Sequence, residues 1–164
     1  MKTLVIVRHA KSSWEQPVLS DHDRPLKKRG YKDAPLIGAV LADWGPPVDR
    51  VLSSSAVRAL ETAEIIVQEM GLPLDEIQIE EDLYHASAAE ILEIIEMQED
   101  ELDGLMLFGH NPGMTNLVNM LSDLELYNLP TAGVVVLQYK VETWGEISRV
   151  DPAQVMIDFP KNHR

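Results

Sequence analysis

Apolar residues fall along the chain in short unbroken runs, separated by longer stretches in which they recur every three or four positions. The runs Thr3–Val7 and Leu105–Phe108 lack polar alternation, as expected of strands covered on both faces, and Asp49–Ser53 reads as a short second strand. Ile77 and Ile79 alternate briefly and predict a short third strand between them. The intervening stretches carry helical stripes. Leu26 opens a helical region with Ala34, Leu36, Ile37, Val40, Leu41 and Trp44 on one face, stopped by Gly45-Pro46-Pro47. Pro35 in that region requires a first turn or a kink. Ser54-Ser55 predicts the cap of a second helix, striped by Val57, Leu60, Ala63, Ile66, Val67 and Met70 and closed by Gly71. Ser87 with Glu90 makes a capping box for a helix over Ala88–Glu99, and another helix is expected over Met114–Leu121. Val134–Val141 and Glu146–Val150, joined through Thr143-Trp144-Gly145, read as a hairpin. The tail beyond Val150 has no clear period.

Strand alternating with helix predicts an α/β three-layer sandwich: a largely parallel central sheet, helices on both faces and an antiparallel edge hairpin. No repeat or linker interrupts the pattern, so residues 1–164 read as a single domain. With 45% hydrophobic and 25% charged residues the chain has the balance of a soluble globular protein. No run is long enough for a membrane span, and the N-terminal apolar run is too short for a secretory signal. A cytoplasmic protein without membrane association is expected. The absence of cysteine excludes disulfides and thiolate chemistry.

Charge narrows the possibilities further. A net charge of −13 argues against non-specific binding to nucleic acid. Residues 1–58 nevertheless hold 10 of the 14 Lys and Arg against 6 acids, whereas residues 59–139 hold none against 17. Any anion site must draw its cations from the first third of the chain. The acidic middle reads as solvated helix faces.

Three strand-like runs end alike. The first ends on Arg8-His9, the second on Ser53-Ser54 with Arg58 just inside the next helix, and Leu105–Phe108 ends on Gly109-His110. In a parallel sheet these ends share one edge, where α/β proteins place their chemistry. Two histidines and two arginines gathered there suit a phosphoryl dianion, because guanidinium offers paired planar donors and a histidine can attack phosphorus. Asp21-His22-Asp23 raises the alternative of a metal site with His9, but adjacent loop residues do not converge easily, and no metal or other cofactor is expected. Lys27-Lys28-Arg29 either attracts anions or forms a solvated helix face.

The segments "RHA", "RPLKKRG", "SSSAVRALETAE" and "FGHNPGM", in that order between Leu4 and Leu121, resemble the motifs of the histidine phosphatase (phosphoglycerate mutase-like) superfamily. The small size resembles its SixA-type branch of phosphohistidine phosphatases. The resemblance implies that His9 is a phosphorylated nucleophile, that Arg8 and Arg58 clamp phosphate oxygens, and that His110 is the second histidine of the pocket. Arg24, in the "RPL" segment, is a further candidate for substrate binding. Where larger members of the family place a glutamate acid, this chain reads "IEEDLYHAS", so His85, Glu81 and Asp82 are the candidate proton donors. The implied function is a metal-independent phosphatase acting through a phosphohistidine intermediate, with phosphohistidine in a protein or a small phosphate ester as substrate. The alternatives are a small-molecule phosphomonoesterase or mutase, and a non-catalytic phosphate-binding module.

Overall fold

In the computed structural model, which describes residues 1–164, the elements run β1 (Lys2–Arg8), α1 (Lys28–Trp44), β2 (Arg50–Ser53), α2 (Val57–Glu69) and β3 (Ile77–Ile79). They continue with α3 (Ala88–Glu96), β4 (Gly104–Gly109), α4 (Gly113–Leu121), β5 (Val134–Tyr139) and β6 (Gln154–Asp158). The strands form one sheet in the order β3-β2-β4-β1-β5-β6. The first four in that order are mutually parallel, and β5 runs antiparallel to both β1 and β6.

The unalternated runs are explained by a core on each side of the sheet. Leu4 and Ile6 of β1 and Leu105 and Leu107 of β4 face α3 and α4, packing with Ile91, Ile95, Leu117 and Val118. Val5, Val7, Met106 and Phe108 face the other way, against Ile37 and Leu41 of α1 and Ala63, Ile66 and Val67 of α2. No helix is long and apolar enough to cross a membrane.

Chain direction sets the position of the site. From β1 the chain steps outward through α1, β2 and α2 to β3, then returns through α3 to β4 beside β1. The segments leaving β1 and β4 therefore diverge to opposite faces. A crevice opens between their carboxyl ends, as at any such reversal of strand order. Register is fixed there: Arg8 lies opposite Gly109, and the His9 N–H donates to the Gly109 carbonyl at 3.1 Å.

Several boundaries differ from the sequence-based expectation. Glu146–Val150 is not a strand. Trp144–Glu146 forms a 3₁₀ turn that buries Trp144 and Ile147 fully, a spacing of three that suits a turn better than an alternating strand. The Trp144 indole N–H donates to the Leu102 carbonyl at 3.0 Å, which anchors the turn. The hairpin's second strand is β6, in the tail. Its Ile157 and Met156 pack against opposite cores, so it carries no alternating signal. Leu26 precedes α1 and is buried in a bridge with Ser12, and Pro35 lies inside the helix, where it removes the N–H that would bond the Tyr31 carbonyl. Helix α2 takes Ala56 as its N-cap, a residue with no side-chain acceptor, and Ser54 Oγ lies against His110 Nε2. The Ser87–Glu90 capping box is present, although α3 stops at Glu96.

Candidate active site

At the crevice, Arg8, His9, Arg24, Arg58, His85, His110 and Asn111 line a cavity of about 270 Å³, together with Lys11, Ser12, Trp14, Asp21 and Thr131. His9 follows β1 directly and is 7% exposed. Its Nδ1–H donates to the Ala10 carbonyl at 2.7 Å, which leaves Nε2 unprotonated. Burial, reinforced by the positive charges of Arg58, Arg8 and Arg24, overcomes the opposing pull of that carbonyl and holds the His9 pKa down to about 3. The ring is neutral at physiological pH, with a free lone pair. Thr62 fixes the backbone behind it: its hydroxyl accepts from the Ala10 N–H at 2.9 Å and donates to the Arg58 carbonyl at 2.7 Å. One side chain thus ties the segment after β1 to the first turn of α2.

His110 follows β4, with its ring centroid 5.2 Å from that of His9. Its Nε2 lies 2.8 Å from Ser54 Oγ, which also accepts from the Ala56 N–H at 3.2 Å. The arrangement that satisfies all three groups has Ser54 donating to Nε2, so that the ring proton sits on Nδ1. Burial, followed by the influence of His9, Arg58 and His85, lowers the His110 pKa to about 3. His110 is then a neutral donor. Its buried Nδ1 has no partner, and neither do the buried Nε atoms of Arg8 and Arg58. An unmet buried donor costs roughly 1–3 kcal/mol.

Asp21 organises the arginines. Its Oδ1 accepts from Arg24 Nε at 3.2 Å and from Arg24 Nη2 at 3.0 Å. Its Oδ2 accepts from Arg58 Nη2 at 3.0 Å and from the Tyr84 hydroxyl at 2.6 Å. Arg58 Nη1 donates to the Asp21 carbonyl at 2.6 Å. Partial burial alone would raise the Asp21 pKa, but the bonds from Tyr84, Arg24 and Arg58 prevail and hold it well below the usual carboxylate range. Asp21 therefore stays ionised and cannot deliver a proton. Arg8 is held apart from this group by the Leu129 carbonyl at 2.9 Å. Three guanidiniums and the Lys11 ammonium against one carboxylate leave the pocket with a surplus of positive charge, which suits a phosphoryl dianion.

The structure thus brings Arg8, His9, Arg24, Arg58, His85 and His110 to one cavity. It does not bring Glu81 and Asp82 there. Both belong to a 3₁₀ turn, exposed to solvent, on the far side of Leu83, whose side chain is buried in the core. His85 sits at the mouth with its side chain 67% exposed and Nε2 3.8 Å from Asp21 Oδ2. The Asp21-His22-Asp23 segment does not gather as ligands. Asp21 turns to the arginines, while His22 Nε2 lies 2.9 Å from Ser55 Oγ. No group of three His, Asp or Glu side chains is placed to hold a metal. Sequence reasoning missed Asp21 as the arginine anchor, Ser54 as the partner of His110, and Tyr84. It also missed Trp14, whose ring lies 3.4 Å from Arg24 Cζ. The Asp21–Arg24 spacing of three, within a 3₁₀ turn, was the available signal for the first.

These features define an α/β protein with a dianion-sized cationic pocket at a parallel-sheet edge and a neutral histidine aimed into it. The model of the histidine phosphatase superfamily, branch 1, matches residues 4–103, and the chain belongs to that superfamily of phosphatases. An uncharacterized chloroplastic protein of Arabidopsis thaliana is 31% identical over 153 residues, covering 88% of this chain and 70% of its own. A crystal structure from Agrobacterium tumefaciens, provisionally named as the phosphohistidine phosphatase SixA, is 30% identical with a TM-score of 0.76 over 96% of each chain. The protein histidine phosphatase SixA complexed with tungstate shares the fold at a TM-score of 0.81, with 19% identity over 99% of each chain.

Proposed function

We propose that this phosphatase hydrolyses phosphohistidine in proteins through a covalent phosphoryl intermediate on His9. The His9 Nε2 lone pair attacks phosphorus while the bond from phosphorus to the departing imidazole breaks. Arg8 and Arg58 offer donors to the equatorial oxygens, with His110 Nδ1–H beside them, and Arg24 steadies the far side of the group through Asp21. Water then attacks the phosphorylated His9, releasing inorganic phosphate and returning the lone pair to Nε2.

The observation that carries the choice of substrate is the state of Asp21, the only carboxylate lining the cavity, which the arginines and Tyr84 keep ionised. An alkyl phosphate expels an alkoxide and needs a positioned acid, typically worth about 10²–10⁴-fold. A protonated phosphohistidine ring instead departs as neutral imidazole, which free in water takes up a proton near pH 6.5. The name carried by the Agrobacterium relative is consistent with this reading. A leaving-group series tests it: kcat/KM should favour phosphoramidates and aryl phosphates over alkyl phosphates. Equally fast alkyl-ester cleavage refutes it.

One observation favours the second reading, a small-molecule phosphomonoesterase. His85 stands at the mouth, where its ring could pass a proton to an ester oxygen. In that case His85→Ala would abolish ester turnover while sparing phosphohistidine.

A further inference from the structure

Next to the phosphate pocket lies a second, open depression of about 650 Å³ lined by Lys27, Lys28, Arg29, Lys32, Leu36, Asp33 and Arg164. Asp33, buried on its floor, is taken by Arg164 at 2.8 Å and flanked by Arg29 at 3.8 Å. Five cations against one acid leave a surplus of four, on a chain whose net charge is −13. Lys27, Lys28 and Lys32 are exposed, and none of them enters an ion pair. The depression is tied to the catalytic mouth through Lys11, which lines the phosphate pocket and whose carbonyl accepts from the Lys27 N–H at 3.0 Å. Gly30 permits this approach, since a Cβ there would collide with the same Lys11 carbonyl.

Folding does not account for these lysines. They crowd the first turns of α1, whose N-cap Lys27 makes no side-chain capping bond and whose first turn has no acid. A cation at the positive end of a helix is disfavoured by roughly 0.3–1 kcal/mol. Solubility does not need them either, given the acids elsewhere. The walls are the aliphatic stems of lysine and arginine over Leu36, with charge only at the tips, a mixture that suits a protein surface. A long polyanion such as nucleic acid is disfavoured by the chain's net charge of −13.

We propose that this ridge docks an acidic face of the phosphoprotein substrate, orienting its phosphorylated histidine toward His9. The inference rests on the protein-phosphohistidine reading above. The test is the variant Lys27→Glu/Lys28→Glu/Lys32→Glu, with the milder triple Gln variant beside it, assayed at low salt on three substrates. These are a net-negative protein phosphorylated on histidine, a histone phosphorylated the same way, and phosphoramidate. The Glu variant should lose at least about tenfold in kcat/KM on the acidic phosphoprotein, the scale of lost electrostatic steering. The Gln variant should fall between it and wild type. The differences should close near about 0.5 M NaCl, where the screening length is roughly 4 Å. Phosphoramidate turnover should be unchanged in both variants, and histone turnover should not fall. Unchanged rates on the acidic phosphoprotein overturn the proposal, and so does an equal loss on phosphoramidate in the Gln variant. A wild-type enzyme inert toward every phosphohistidine and phosphoramidate substrate would instead overturn the functional reading beneath it.

Discussion

Acidification should destabilise this fold well before its carboxylates titrate, and the cause is the pair of buried histidines in the pocket. His9 and His110 are both buried with pKa values lowered to about 3. In the unfolded chain each would titrate near about 6.5. Between these limits the unfolded state binds protons that the folded state refuses, so stability falls as pH drops through the window and is fully present above the unfolded value. From about pH 7.5 down to about pH 5 the loss amounts to about 2 kcal/mol for each histidine and about 4 kcal/mol for the pair. Urea denaturation across that range measures it directly. Replacing both residues by Asn should flatten the profile, and either single replacement should remove about half of the slope. The sign is unambiguous because Asp21, held below the usual carboxylate range, contributes only at lower pH. A pH-independent unfolding free energy, or a slope surviving in the double variant, would mean that the histidines are not held neutral by burial. The proposed nucleophile would then need another source of activation.

Rapid quenching with labelled substrate should trap acid-labile phosphate on His9, and His9→Ala should abolish both trapping and turnover; label found on another residue would refute the assignment. Arg58→Ala should weaken transition-state binding by about 2–4 kcal/mol, the scale of a lost preorganised donor, as read from kcat/KM on phosphoramidate. Dialysis against EDTA should leave activity unchanged, and a rate restored only by an added divalent cation would show that the arginines do not supply the needed charge. Gly113→Ala places a Cβ against the Ala86 carbonyl at the start of α4 and should cost about 1–3 kcal/mol in denaturation, as overpacking does.

What could be read in the sequence was what strands announce by stopping. Arg8-His9 and Gly109-His110 stood out because each ends an apolar run with no polar alternation, and parallel pairing of β1 with β4 sets those ends side by side. What was hidden depended on contacts between distant segments. Ser54 reads as a helix cap, and only the arrival of His110, 56 residues on, makes it a hydrogen-bond partner in the pocket. Asp21 reads as one acid in a polar loop until Arg58, 37 residues away, is folded against it. Strand β6 was missed for a different reason. An edge strand that shares its apolar residues between two cores has neither the run of a central strand nor the alternation of a half-exposed one.

The embrace of Asp21 by Arg24, Arg58 and Tyr84 also constrains how the protein can vary. With the carboxylate removed, Arg24 and Arg58 would lose the acceptor they share, and only an arriving ligand would offset their charges. An empty enzyme would then pass through a state of mutual repulsion each time product left. With the carboxylate in place, Arg24 and Arg58 keep a shared partner between turnovers. Positions 21, 24, 58 and 84 therefore act as one unit: a change at any of them removes a hydrogen-bond partner from the others, although in sequence they stand up to 63 residues apart.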